Sequence, residues 1–194
     1  MNILFFDTET TGKPANYNAS MFDLNNWPRV IQLAWQIGNQ YGEILSEEKT
    51  LIRPDGWVVP VEDFWIKHGY STENCLAEGL PMADVLDGFI SDIISFNVNM
   101  IVAHNIQFDY HVLGAEMIRY KKTTGRRMKQ FCTMQFATPL CQIPGKIGFK
   151  FPRLEELYRY LFNKDFDGAH DALNDVSACR ESFFEMHKRN LFQL

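Results

Sequence analysis

A chain of 194 residues, 46% hydrophobic and 22% charged, has the size and make-up of one compact globular domain spanning residues 1–194. No apolar run approaches the ~20 residues that cross a bilayer, and the amino terminus MNILFFDTET lacks the basic and small-residue signals of a secretory leader, so a cytoplasmic protein without membrane contact is expected. The net charge of −5 argues against a protein that holds DNA by bulk electrostatics, but not against one whose bound cations supply local positive charge. Cys75, Cys132, Cys141 and Cys179 form no CxxC pair, which argues against a disulfide framework or structural zinc.

In chain order, the apolar run 2–6 (NILFF) predicts a strand buried on both faces. Lys13 to Pro28 is aperiodic and rich in Asn, Pro and Ser, and is expected to be a long loop beside whatever the first strand presents. Residues 29–38 and Ile44 to Ile52, joined through Tyr41-Gly42, predict an antiparallel pair. Leu80 to Ser95 predicts an amphipathic helix, Asn99 to Ala103 a short strand, and the next stretch a helix to about Arg119. Phe131 to Met134 predicts another strand, and Leu154 to Leu161 and Asp171 to Arg189 the last helices. This succession indicates a mixed-sheet α/β domain.

Five side chains interrupt these patterns. Asp7 and Glu9 follow the first apolar strand at alternate positions, so in extended chain both carboxylates share a face; solvated acids at a strand end are the plainer alternative. In the helix from Ile106, the spacing of Ile106, Tyr110, Leu113 and Met117 predicts a core-facing stripe with Asp109 at its edge. Ala172, Val176, Cys179 and Phe183 repeat that arrangement, with Asp175 at the edge. A carboxylate there needs a cation or hydrogen bonds. A salt bridge would serve either one alone, but the repetition beside Asp7 and Glu9 favours a hard-oxygen site for Mg²⁺ or Mn²⁺. His170 lies five residues before Asp175, with Asp171 a candidate helix cap, and its imidazole suits a general base acting on water.

Three stretches now carry a resemblance. Phe6-Asp7-Thr8-Glu9-Thr10-Thr11-Gly12, Ala103-His104-Asn105-Ile106-Gln107-Phe108-Asp109 and His170-Asp171-Ala172-Leu173-Asn174-Asp175 resemble, in order, the three motifs of the DnaQ-like DEDDh exonuclease family. Asp171 stands where the sister group places a tyrosine, which favours the histidine type. The resemblance implies a ribonuclease H-like α/β fold, a five-stranded mixed sheet flanked by helices. It implies two divalent cations held by Asp7, Glu9, Asp109 and Asp175, with His170 activating water, and stepwise 3′→5′ hydrolysis releasing 5′-mononucleotides. It further implies substrate contacts by Thr8, Thr10, His104, Asn105 and Phe108.

The partner expected is nucleic acid, foremost a single-stranded DNA 3′ end, with RNA as the alternative substrate and a non-catalytic polymerase-binding module as the alternative class. The chain ends at Leu194 without a tethering tail, so a dedicated replicative proofreading subunit is not expected, although a polymerase partner stays open. Many relatives carry an apolar residue after the first-motif glycine; here it is Lys13, which suits a phosphate. Between Arg119 and Lys129 six cations occur with no acid. Lys121, Lys122, Arg126 and Arg127 are therefore expected to form a phosphate track, with a solvated helix end as the alternative.

Overall fold

In β1 (Asn2–Thr10), Ile3, Leu4, Phe5 and Phe6 are all buried, the sign of a strand covered on both sides. Alternate side chains point to opposite faces, so Leu4 and Phe6 enter one core while Ile3 and Phe5 enter another. The structure, a computed structural model, describes residues 1–194. β1 is the middle strand of a five-stranded sheet of order β3-β2-β1-β4-β5. On one side it pairs antiparallel with β2 (Val30–Asn39), which pairs antiparallel with β3 (Ile44–Leu51). On the other side it runs parallel to β4 (Val98–Ala103), itself parallel to β5 (Lys129–Cys132).

Seven helices complete the chain: α1 (Asp63–Lys67), α2 (Thr72–Glu78), α3 (Met82–Ser95), α4 (Ile106–Arg119), α5 (Thr133–Cys141), α6 (Leu154–Phe162) and α7 (Ala172–Lys188). Leu86, Phe89 and Ile93 of α3, with Val112 and Leu113 of α4, cover the Leu4/Phe6 face. Leu154 and Tyr158 of α6, with Val176, Cys179 and Phe183 of α7, cover the Ile3/Phe5 face. No helix is long and apolar enough to cross a membrane.

Three sequence expectations need correction. β1 continues through Thr10, so Asp7 and Glu9 lie within the strand, paired with Ala34 and Gln32 of β2, rather than beyond its end. β5 stops at Cys132, and the predicted strand to Met134 gives way to α5. Pro139 inside α5 hides that helix from sequence reading, because proline ordinarily breaks a helix interior. In α4 the buried face is Ile106, Asp109, Val112, Leu113, Ala115 and Glu116, and Tyr110 is exposed. Asp109 therefore sits on the core face itself and not at its edge.

The long loop is pinned to α4. Glu116, 1% exposed, takes ion pairs from Arg29 at 2.8 Å and Arg119 at 3.0 Å. Arg119 also donates to the carbonyls of Leu24 and Trp27. Trp27 is buried with its ring stacked on His111 at 5.1 Å, so neither Trp27 nor His111 is a free surface group. His187 is likewise half-buried, its Nδ1 3.1 Å from the Phe192 carbonyl.

Candidate active site

Strand alternation decides which residues of the first motif meet. Asp7 and Glu9 share the Ile3/Phe5 face, whereas Thr8 turns to the opposite face with Leu4 and Phe6. There the Thr8 hydroxyl and amide donate to Asp109 Oδ1 at 2.8 and 3.1 Å. Thr8, expected to touch substrate, is instead buried and orients a carboxylate from the first turn of α4. Asp175 comes from the first turn of α7, whose N-cap is Asp171; the Asp171 carboxylate accepts from the amides of Leu173 and Asn174. Side-chain ligand atoms of Glu9, His170 and Asp175 lie within 4.8 Å of one another.

His170 is held by its backbone. Its φ of +70° is a left-handed conformation that non-glycine residues seldom adopt. Two contacts fix it: the His170 amide donates to Asp175 Oδ2 at 3.2 Å, and its carbonyl accepts from Tyr70 Oη at 3.0 Å. Tyr70 Oη also lies 3.1 Å from Gln32 Oε1, which accepts the Ala172 amide at 2.9 Å. The imidazole packs edge-on against Phe64 and His68, with ring centroids 5.3 and 4.8 Å away. Trp65 Nε1 donates to the Thr10 carbonyl at 3.0 Å, fastening α1 over the end of β1. Sequence reading missed Tyr70, Gln32 and Phe64.

The electrostatics are one-sided. No Lys or Arg lies within ion-pair distance of Asp7, Glu9, Asp109 or Asp175. Burial, followed by the charges of Asp175 and Asp109, pushes the Glu9 carboxyl up to about 8. Burial pushes Asp109 up to about 7 against the Thr8 hydrogen bonds that lower it. Asp175 also rises to about 7, through burial and the charge of Glu155, against the His170 amide bond. Asp7 is raised well above the usual carboxylate range by burial and then by Asp109 and Asp175. Oxygen donors crowded together without a counter-charge are the donor set that fits hard divalent cations.

The remaining predicted contacts divide. Thr10 spends its hydroxyl on the Gly12 carbonyl at 2.7 Å. Both nitrogens of His104 are occupied, Nε2 at 3.0 Å from the Pro152 carbonyl and Nδ1 at 3.0 Å from Thr133 Oγ1. A carbonyl only accepts, so Nε2 carries the hydrogen and Nδ1 accepts from Thr133; burial, pushing the imidazole down to about 4, keeps it neutral. His104 is a strut between β4, α5 and the approach to α6, not a free sugar ligand. Asn105 opens α4 at φ +72° without capping it, leaving its amide uncommitted. Phe108 is half-buried, its ring 6.3 Å from that of Tyr17 in the long loop, so that part of the loop lies beside the second motif.

Lys13 is exposed. Lys122 pairs with Asp87 at 2.6 Å, and Arg126 donates to Asn97 and to the Ile93 carbonyl. With Arg127 they rim a cavity of about 660 Å³ floored by Phe6, Phe89, Ile93 and Ile101 on the α3/α4 side. Of the four cations expected to form a phosphate track, Lys122 and Arg126 thus have intramolecular partners near the surface, whereas Lys121 and Arg127 form no ion pair.

The exonuclease family RNase_T matches residues 4–183. DNA polymerase III subunit epsilon of Treponema pallidum (strain Nichols) is 29% identical over 181 residues, covering 93% of this chain and 74% of that protein. An exonuclease I structure superposes with a TM-score of 0.74 at 20% identity, over 96% of this chain and 41% of the other. Escherichia coli exonuclease I bound to a dA16 oligonucleotide gives 0.71 at 21% identity, over 98% of this chain and 41% of the other. This chain therefore spans about two fifths of the length of those exonucleases. Sheet order, the converging acids and the family match together make the chain a member of the DnaQ-like exonucleases, of ribonuclease H-like fold.

Proposed function

We propose that this protein is a metal-dependent 3′→5′ exonuclease of the DEDDh type, acting on single-stranded or frayed DNA ends and releasing 5′-mononucleotides. The observation that carries the proposal is a group of four mutually repelling carboxylates, two of them (Glu9 and Asp175) beside His170, with no cationic side chain to neutralise them. Asp7, Glu9, Asp109 and Asp175 would hold two divalent cations, Mg²⁺ or Mn²⁺. When bound, such ions neutralise the phosphate and lower the pKa of water.

The chain's own residues do the rest. His170, held at a fixed backbone angle by Tyr70 and Asp175, removes a proton from the attacking water. The water oxygen bonds to phosphorus as the bond to the 3′ oxygen breaks, and that oxygen takes a proton from solvent water. Thr8 keeps Asp109 turned into the site throughout. Asn105, whose side-chain amide is uncommitted, and Phe108, half-buried beside Tyr17, would contact the terminal nucleotide. DNA is favoured as substrate because the curated relative is a DNA polymerase subunit, and exonuclease I structures contain dA16 and dT13.

Two labelled oligomers test the polarity. With Mg²⁺, a 5′-labelled single strand should shorten through a ladder of products, and a 3′-labelled one should release labelled mononucleotide from the first turnover. The reverse pattern, or internal cuts, overturns the proposal. An RNA strand of the same sequence, digested in parallel, should be degraded more slowly.

A further inference from the structure

Residues 142–153 (QIPGKIGFKFPR), between α5 and α6, carry three cations and no acid in a chain of net charge −5. The segment folds back on itself. The Gly145 amide donates to the Gly148 carbonyl at 2.8 Å, the Lys150 amide donates to the Ile143 carbonyl at 2.9 Å, and Pro144 bridges Phe149. Gly148, at φ +66°, permits the reversal. Residues 144–151 are all exposed, with Ile147 at 96%, Phe149 at 51% and Phe151 at 58%. Burying such rings is worth far more than leaving them in water, so three large apolar groups on one short arm call for an occupant.

Two observations identify the occupant. First, the base of the arm is fixed to the catalytic site. The Pro152 carbonyl accepts from His104 Nε2, two residues before α4 with its Asp109, and the first turn of α6 carries Glu155, whose charge acts on Asp175. Second, the aromatics alternate with cations. Lys146, Lys150 and Arg153 interleave with Ile147, Phe149 and Phe151. Lys150 pairs with Glu156 at 2.6 Å, whereas Lys146 has no partner and Arg153 is only loosely paired at 3.8 Å. Aromatic faces beside cations are the means by which proteins hold single strands without reading sequence.

We infer that the 142–153 arm is a platform for the single strand upstream of the scissile nucleotide, with bases stacked on Phe149 and Phe151 and phosphates met by Lys146 and Arg153. Alternate residues in extended chain stand about 6.6–6.8 Å apart, roughly twice the 3.4 Å base step of a stacked strand. Consecutive bases reach both rings only when the strand is drawn out, which favours single strands over duplex.

The inference rests on the exonuclease reading and is tested separately from it. Initial rates are measured with Mg²⁺ on 5′-labelled DNA and RNA strands of two to twelve nucleotides. Wild-type KM should fall as length grows. Phe149→Ala with Phe151→Ala should raise KM for the longest strands by roughly tenfold for each ring lost, flattening the length dependence. Phe149→Trp should restore it, which a merely misfolded arm would not. Lys146→Gln with Arg153→Gln should make the salt dependence of binding shallower by about 0.7 per phosphate contact. A KM rise confined to DNA, or to RNA, supports the platform and names its polymer. Wild-type length dependence in the double phenylalanine variant overturns it. If the wild-type enzyme itself degrades neither polymer, it is the exonuclease reading that fails.

Discussion

Two buried acids on one face of α4, seven residues apart, meet opposite treatment. Glu116 is 1% exposed and receives two guanidinium groups, from Arg29 and Arg119. Asp109 is 3% exposed and receives two hydrogen bonds from Thr8 and no cation, while Asp7 and Asp175 stand near enough for mutual repulsion. Leaving a buried charge unpaired costs several kcal/mol, and the fold shows at Glu116 that it can supply a partner. Its failure to do so at Asp109 is what the proposed cation site would explain. Glu116 holds the long loop to the helix; Asp109 is left without a counter-charge.

The largest effects should separate these two acids. Alanine at Asp7, Glu9, Asp109 or Asp175 should lower nuclease turnover by about 10³-fold or more, about 4 kcal/mol of barrier, in protein that stays folded by circular dichroism. Glu116→Gln should do the converse. It leaves two arginines without their anion and should cost about 3–5 kcal/mol of stability in denaturant unfolding, with turnover per folded molecule retained. An Asp109→Ala variant that is folded and still active, or a Glu116→Gln variant that is stable but inactive, would erase the distinction.

Next come the residues around the base. His170→Ala should reduce kcat by about 10²–10⁴-fold. Tyr70→Phe removes only the hydroxyl that fixes the His170 carbonyl and touches Gln32. It should reduce kcat by about tenfold with KM nearly unchanged, about 1.4 kcal/mol. Equal losses in kcat and KM for Tyr70→Phe would mean that it shapes the substrate pocket rather than the histidine.

A smaller, graded effect concerns pH in metal-free protein. Glu9, Asp109 and Asp175 have native pKa values raised to about 8, 7 and 7. A raised carboxylate binds a proton that the unfolded chain has already released above about pH 4. Their contribution to stability is therefore complete below about pH 4 and is lost as pH rises through 7 to 8. Thermal unfolding with EDTA should show Tm falling across that window, and Asp109→Asn should flatten the fall. A Tm that climbs between pH 5 and 8 would contradict the pKa assignments.

How much of this was legible in the sequence follows from where each interaction originates. Asp7 and Glu9 were legible because strand alternation is local, and Asp109, His170 and Asp175 because their motifs are short and ordered. The roles of Thr8 and His104 were not. Thr8 binds an acid 101 residues away, and His104 binds Thr133 and Pro152, 29 and 48 residues away. Motif membership suggested substrate contact for both, but only folding brings up the partners that occupy them. The same holds for the cations. Six in eleven residues suggested a phosphate track, yet Lys122 finds Asp87 and Arg119 finds Glu116. The helix stripe in α4 failed for a related reason: hydrophobic spacing assigns Tyr110 to the core and cannot admit that Asp109 belongs there. Tyr70 lay in plain view, but its value depends on the left-handed backbone of His170, which sequence does not announce.

The central claim is that the uncompensated acids hold cations, and one titration addresses it directly. Metal-free protein in weak buffer at pH 7 is titrated with Mn²⁺ while bound ion and released protons are followed together. Carboxylates with pKa values of about 7 to 8 carry protons at that pH, and a cation that binds them must displace those protons. The account predicts saturable binding with proton release, both sharply weakened in Asp109→Asn. Binding that releases no protons, or that is undiminished in Asp109→Asn, would contradict it.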